Sequence, residues 1–190
     1  MPASAQEVLD FWFADEHAVL WFRRDDAFDR TVSERFGATL EAAATGALDA
    51  WAATPRGWLA LLIVLDQFSR NIHRNDARAF AQDATAQTLA LAGLDRRDDE
   101  ALAPLERVFA YLPLEHAEEL TLQWRAVTLF RALALQATPT SRGQYEVFLD
   151  YARRHCEVVT RYGRFPHRNA LLGRPSTPDE QAYLAEGGGF

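Results

Sequence analysis

Lysine is absent, so all 20 basic residues of the chain are arginine. Part of that content is compositional bias rather than a demand for the forked guanidinium, and no arginine argues for a site by its identity alone. Cysteine occurs once, at Cys156, which excludes an internal disulfide and a multi-cysteine zinc site and points to a reducing compartment. No apolar run approaches the ~20 residues of a membrane span, and the N-terminal MPASAQEVLDFWF has no basic region ahead of its apolar residues. The expectation is a cytoplasmic, soluble protein with no membrane partner. Excess positive charge is also missing: the formal net charge is −7, whereas phosphate backbones call for a basic face, so no nucleic-acid partner is expected. The G-x-S-x-G elbow, H-E-x-x-H, G-x-x-x-x-G-K and G-x-G-x-x-G are all absent, which removes the common hydrolase, zincin and nucleotide-binding frameworks. Period-two alternation is absent from every long segment, which argues against a sheet.

What is present is a helical pattern over nearly the whole chain. With 190 residues, 48% of them hydrophobic, the composition suits one globular domain, expected over 1–190. Ser4 and Glu7 form a capping box ahead of Val8, Leu9, Phe11 and Trp12. Phe28, Val32, Phe36 and Leu40 recur every four residues in a second helix that Gly46 closes. Thr54 and Pro55 are an N-cap and first-turn pair. Asp83 to Gly93 reads as a helix and the acidic DRRDDE after it as a loop; Pro113 is expected to start a helix reaching about Gln136, and Ser141 another that Gly163 ends. Thr177, Pro178 and Glu180 cap a short last helix. Short connections imply antiparallel helical hairpins.

The helix after Pro55 poses the functional question. Trp58, Leu61, Leu65, Phe68 and Ile72 make one stripe, but Leu59, Leu62, Ile63 and Val64 fill the other faces, and a helix apolar all round is buried. It ends in Asp66, Arg70, Asn71, His73 and Arg74, polar groups that emerge where a core helix leaves the interior. Asp66 and Arg70 stand at i and i+4 in the favourable order. A second stretch, RYGRFPHRNALLGR, carries Arg164, His167, Arg168 and Asn169, with Phe165, Leu171 and Leu172 as expected anchors. Between Glu157 and Asp179 there is no acid, yet four arginines fall there. Their candidate partners are Asp66 and the PLEHAEE segment, where Glu115 and Glu119 are expected on one helix face with Gln123 a turn on. His116 and Glu119 have i, i+3 spacing but no recognisable third ligand, and no metal or cofactor is expected. Cys156 falls on the stripe Tyr145, Phe148, Ala152, Cys156 and Val159 as a core thiol. The aromatic group of Phe11, Trp12, Phe13, Trp21, Phe22, Trp51 and Trp58 reads as core, or as the wall of an apolar pocket. His17 and His155 join no cluster.

WLALLIVLDQFSRNIHR, YLPLEHAEELTLQ and RYGRFPHRNALLGRPSTPDE, in this order, resemble the bacterial family catalogued as domain of unknown function 924, from FWF near the start to STPDEQAYL near the end. Where that pattern has Pro in DQFPRN this chain has Ser69, and where it has HSED this chain has HAEE from His116 to Glu119. The resemblance implies an all-α, tetratricopeptide-like right-handed superhelix and names no reaction. Two functions are then weighed. In the first, Asp66, Arg70, Asn71, Arg74, Glu115, His116, Glu119, Arg164, His167, Arg168 and Asn169 form a cleft for a small anionic molecule or peptide, a carboxylate or phosphate, with His116 or His167 able to exchange a proton. In the second, a helical scaffold binds a protein or peptide partner and these residues lock the fold. The segment 164–190 is expected to dock across the core helices.

Overall fold

The computed structural model describes residues 1–189; Phe190, the last residue of the segment 164–190, lies outside them. Every regular element among the described residues is helical and no strand forms. The chain separates into two compact units, Met1–Pro113 and Leu114–Phe190.

The first unit is built on aromatic packing. Helix α1, Ala5–Trp12, begins at the Ser4–Glu7 capping box and buries Val8, Leu9, Phe11 and Trp12. A short α2, Asp15–Ala18, leads to α3, Asp26–Ala44, capped by the Asp25 carboxylate and burying Phe28, Val32, Phe36 and Leu40. Helix α4, Pro55–Leu62, opens at Thr54, whose hydroxyl accepts from Gly57 N–H. It runs without a break into a π-helical turn, Ile63–Phe68, and then α5, Ser69–Ile72. Gly57 through Ser69 are all buried, as a helix apolar on every face demands. Phe11, Trp12, Phe28, Phe36, Phe68 and Phe109 pack ring against ring at centroid separations of 4.7–6.3 Å. Of the aromatic group, Phe11, Trp12 and Trp58 are core, Phe13, Trp21 and Trp51 are partly buried, and Phe22 is exposed. Helix α6, Asp83–Asp95, lies against α4, and α7, Pro104–Glu115, follows.

Pro113 does not begin a helix. It sits inside the last turn of α7, which closes at Glu115. Proline lacks the N–H that would continue the ladder, and the helix ends two residues later. The next helix, α8, is Leu120–Gln136, with Glu119 at its N-cap position. Gln123 Nε2 reaches back to donate to the carbonyls of Glu115 and Ala117, both at 2.6 Å, closing acceptors that the break leaves open. Glu115 and Glu119 therefore end one helix and precede another; they do not share a helix face.

In the second unit α8 packs along α9, Arg142–Tyr162. Gly163, at φ +68°, ends α9 in the left-handed conformation that glycine adopts without a Cβ penalty. The chain then turns through Pro166–Arg168 to α10, Pro178–Ala185, opened by the Thr177–Glu180 capping box. Phe165 is fully buried against Val158, Val159, Tyr162 and Tyr183. Leu171 and Leu172 stay 38% and 37% exposed, so they are not anchors: Phe165, with Tyr183 packed beside it, carries the apolar contact.

Candidate functional site

Within each unit, most of the polar groups singled out by sequence meet an acid from a distant segment. Arg70 donates to both oxygens of Asp83, at 2.9 and 3.1 Å, and its Nη1 also stands 3.0 Å from Asp66 Oδ1. The same nitrogen donates to the Asp66 carbonyl at 2.9 Å, beside the π-helical turn. Asn71 Nδ2 and Arg74 converge on Asp29, Asn71 at 2.8 Å and Arg74 Nη2 at 2.8 Å, with a further short contact from Arg74 Nε. Burial pushes the Asp29 carboxyl up, but the Arg74 and Asn71 donors outweigh it and hold the group below the usual range. These are two closed clamps, and Asp29 and Asp83 are the partners that sequence reasoning missed.

In the second unit Arg164 makes a forked contact with Glu180, 2.6 and 2.8 Å, and Asn169 Nδ2 adds a third donor at 3.3 Å. The Arg164 donors, against burial and with the Thr177 N–H, bring the Glu180 carboxyl down to about 2. Glu118 binds the whole turn: it accepts from Phe165 N–H at 2.7 Å and from Arg174 at 2.5 and 2.9 Å. Glu119, its neighbour, is exposed and takes the Thr121 hydroxyl instead.

Glu115, His116, His167 and Arg168 belong to a different arrangement, and it is centred on a histidine that sequence reasoning set aside. His155 projects from α9 and is only 6% exposed. Its Nδ1 faces the Tyr151 carbonyl at 2.9 Å and Glu115 Oε1 at 3.1 Å. Two acceptors at one nitrogen assign the proton to Nδ1 and leave the lone pair on Nε2. The His116 ring is 6.1 Å from that of His155, and the Phe165 ring meets His155 edge-on at 5.5 Å and His167 at 5.7 Å. Arg168, also 6% exposed, lays its guanidinium over Phe165 at 4.4 Å. Burial, reinforced by the charges of His116, Arg168 and His167 and opposed by the Tyr151 carbonyl, drives His155 down to about 3. The neighbouring carboxylate would favour the cation, but desolvation outweighs it, and His155 is neutral at physiological pH. Two imidazoles and a buried guanidinium thus lie against one phenyl ring, with a third imidazole and an orienting carboxylate beside His155. The sequence signal for His155 was weak, because it flanks the apolar stripe of α9 and its partner Glu115 lies 40 residues away.

No group of three His, Cys, Asp or Glu side chains among the described residues is placed to hold a metal ion. No helix there is long and apolar enough to cross a membrane.

A bacterial protein family of unknown function, DUF924, matches residues 8–188, and the chain belongs to it. It is similar to a structure of a protein of unknown function, ATU0120 from Agrobacterium tumefaciens, with 38% sequence identity and a TM-score of 0.86 over 96% of this chain and 97% of that one. No curated protein matches.

Proposed function

We propose that this member of the family binds a small carboxylate- or phosphate-bearing molecule at the imidazole cluster around Phe165. The observation that carries the reading is the gathering of His155, His167 and the buried Arg168 about a single ring, with His116 beside His155. Burying the Arg168 guanidinium and the His155 imidazole costs stability that apolar side chains of similar volume would not. Groups assembled at such a cost, with a strongly shifted pKa among them, are typical of a site for a ligand or a reaction. The guanidinium supplies charge-assisted hydrogen bonds to a carboxylate or phosphate. His155, with its Nδ1 held by Glu115 and the Tyr151 carbonyl, is an imidazole oriented by an acid, as general bases commonly are. Arg70, Arg74 and Arg164, each closed on an acid of its own unit, hold the fold instead.

The test is a thermal-shift screen of phosphate, sulfate and dicarboxylates at fixed ionic strength. A ligand at 100 times its Kd adds about 2.7 kcal/mol, which for a chain of this size is a rise of roughly 5–10 °C. Arg168→Gln and the milder His167→Asn should abolish the shift. If no anion moves the melt beyond the general salt effect, or if both variants respond like the parent, the reading is overturned and the scaffold alternative takes its place.

A further inference from the structure

A second candidate lies on another face of α9 and uses none of the residues around Phe165. Along this helix Tyr145, Leu149, Ala152, Cys156 and Val159 point to the core. Arg153, Glu157, Thr160 and Arg161 form the adjacent stripe, and together with Trp124 and Val127 of α8 they line a trough of about 440 Å³ floored by Cys156. That volume falls within the ~300–1,000 Å³ typical of small-molecule sites. His155 is two residues from both Arg153 and Glu157, a spacing that puts it on a different face of the helix.

The lining has two chemically distinct parts. Trp124 is 57% exposed, and Leu120 continues the same stripe of α8 one turn earlier, also exposed. An indole open to solvent beside an apolar floor is a surface that gains by being covered. Burial pushes the Cys156 thiol up, so the floor carries no charge at neutral pH. At the rim the charge is unbalanced. Glu157 stands four residues from both Arg153 and Arg161, the spacing at which helical ion pairs form, yet among the described residues neither arginine has a carboxylate partner. Arg154, immediately beside Arg153, shows the contrast, closing on Asp150 at 3.0 Å. Arg161 lies over the Tyr162 ring at 4.9 Å. The two guanidinium groups are eight residues apart, about 12 Å along the helix axis, with the apolar floor between them.

We infer that the trough between α8 and α9 binds an amphipathic anion: a carboxylate or sulfate head held by Arg153 or Arg161, with an acyl or aryl body lying on Trp124, Val127 and the Cys156 floor. Charge complementarity sets the sign of the head group. The length of the lining, two turns of α9, suits a medium-length chain rather than a partner helix, which would need contacts along many turns.

Decanoate, decyl sulfate and decanol serve as probes, with binding to the full chain followed by isothermal titration and tryptophan fluorescence. Decanoate and decyl sulfate should bind at one site, and decanol about tenfold or more weakly, since it lacks the charge-assisted contact. Trp124→Ala and the double variant Arg153→Glu with Arg161→Glu should each weaken decanoate by about tenfold or more. All these positions are exposed, so the variants should fold, and circular dichroism checks that they do. Arg168→Gln should leave decanoate binding unchanged, which separates this trough from the cluster around Phe165. Equal affinity for decanol, or decanoate binding that survives both variants, would overturn the assignment, as would the absence of saturable binding.

Discussion

His155 is the residue whose surroundings most constrain its chemistry. In the unfolded chain its imidazole has the ordinary value of 6.5, whereas in the fold it is driven down to about 3 by burial and by the positive groups around it. Between those two values the unfolded state binds the extra proton, so stability is fully present above pH 6.5 and falls as the pH drops toward 3. His155→Gln should therefore lower stability at pH 7, through lost contacts with Glu115 and Tyr151, while making the loss between pH 6.5 and 4 shallower than in the parent. Urea melts across that range measure both, and parallel pH curves for the two proteins would show that His155 is not held neutral. The Asp66–Arg70 pair was legible because its partners are four residues apart on one helix. Arg74 with Asp29, at a separation of 45 residues, was not, since periodicity reports which face a residue occupies and not what another segment brings to it, and Arg174 with Glu118, at 56, was narrowed only to the PLEHAEE segment. The excess of arginine between 157 and 179 gave the same false impression of uncompensated charge, because Glu180 lies just outside that interval and Glu118 comes from a distant segment.

At the scale of elements, the capping signals were the most dependable. Ser4 with Glu7, Thr54 with Pro55, and Thr177 with Glu180 all open helices where their side-chain chemistry dictates. The π-helical turn at Ile63–Phe68 left no trace in the pattern, for a run that is apolar on all sides has no phase to slip. Gly93 was equally silent as a packing residue. It sits inside α6 where a Cβ would fall 2.1–2.5 Å from the Trp58 indole, whose Nε1 donates to the Leu89 carbonyl at 2.8 Å. Glycine there allows α6 to lie directly on the ring. Gly93→Ala gains about 1 kcal/mol of helix propensity but meets overpacking that costs about 1–3 kcal/mol, against a ring pinned by its hydrogen bond. The expected result is a net loss of stability in chemical denaturation, partly recovered by adding Trp58→Phe, because the two positions share one contact. A stabilised Gly93→Ala protein would mean that the helices can separate at no cost.

At the scale of the whole chain, the all-α class was legible from apolar spacing and the lack of alternation, whereas the separation into two compact units was not, since the boundary falls inside the last turn of a continuous helix. What the sequence did mark is the importance of the segment after Gly163, and the second unit shows its physical basis. Glu118 is tied to Phe165 N–H and to Arg174, Glu180 to Arg164 and Asn169, and the Phe165 ring is buried with Val158, Val159, Tyr162 and Tyr183. Truncation after Gly163 removes every one of these contacts at once and leaves Glu118 without its guanidinium. The loss of a buried phenylalanine alone costs about 3–5 kcal/mol, and each kcal/mol lowers the melting temperature of a chain this size by roughly 2–4 °C. The truncated protein should thus melt at least ~6 °C below the parent or fail to accumulate in soluble form. Phe165→Ala, which keeps the ionic ties, should fall between the two in calorimetry. The order parent, Phe165→Ala, truncation follows from apolar burial and ion pairing acting together, and a truncated chain that melts with the parent would show that neither ties the segment to its unit.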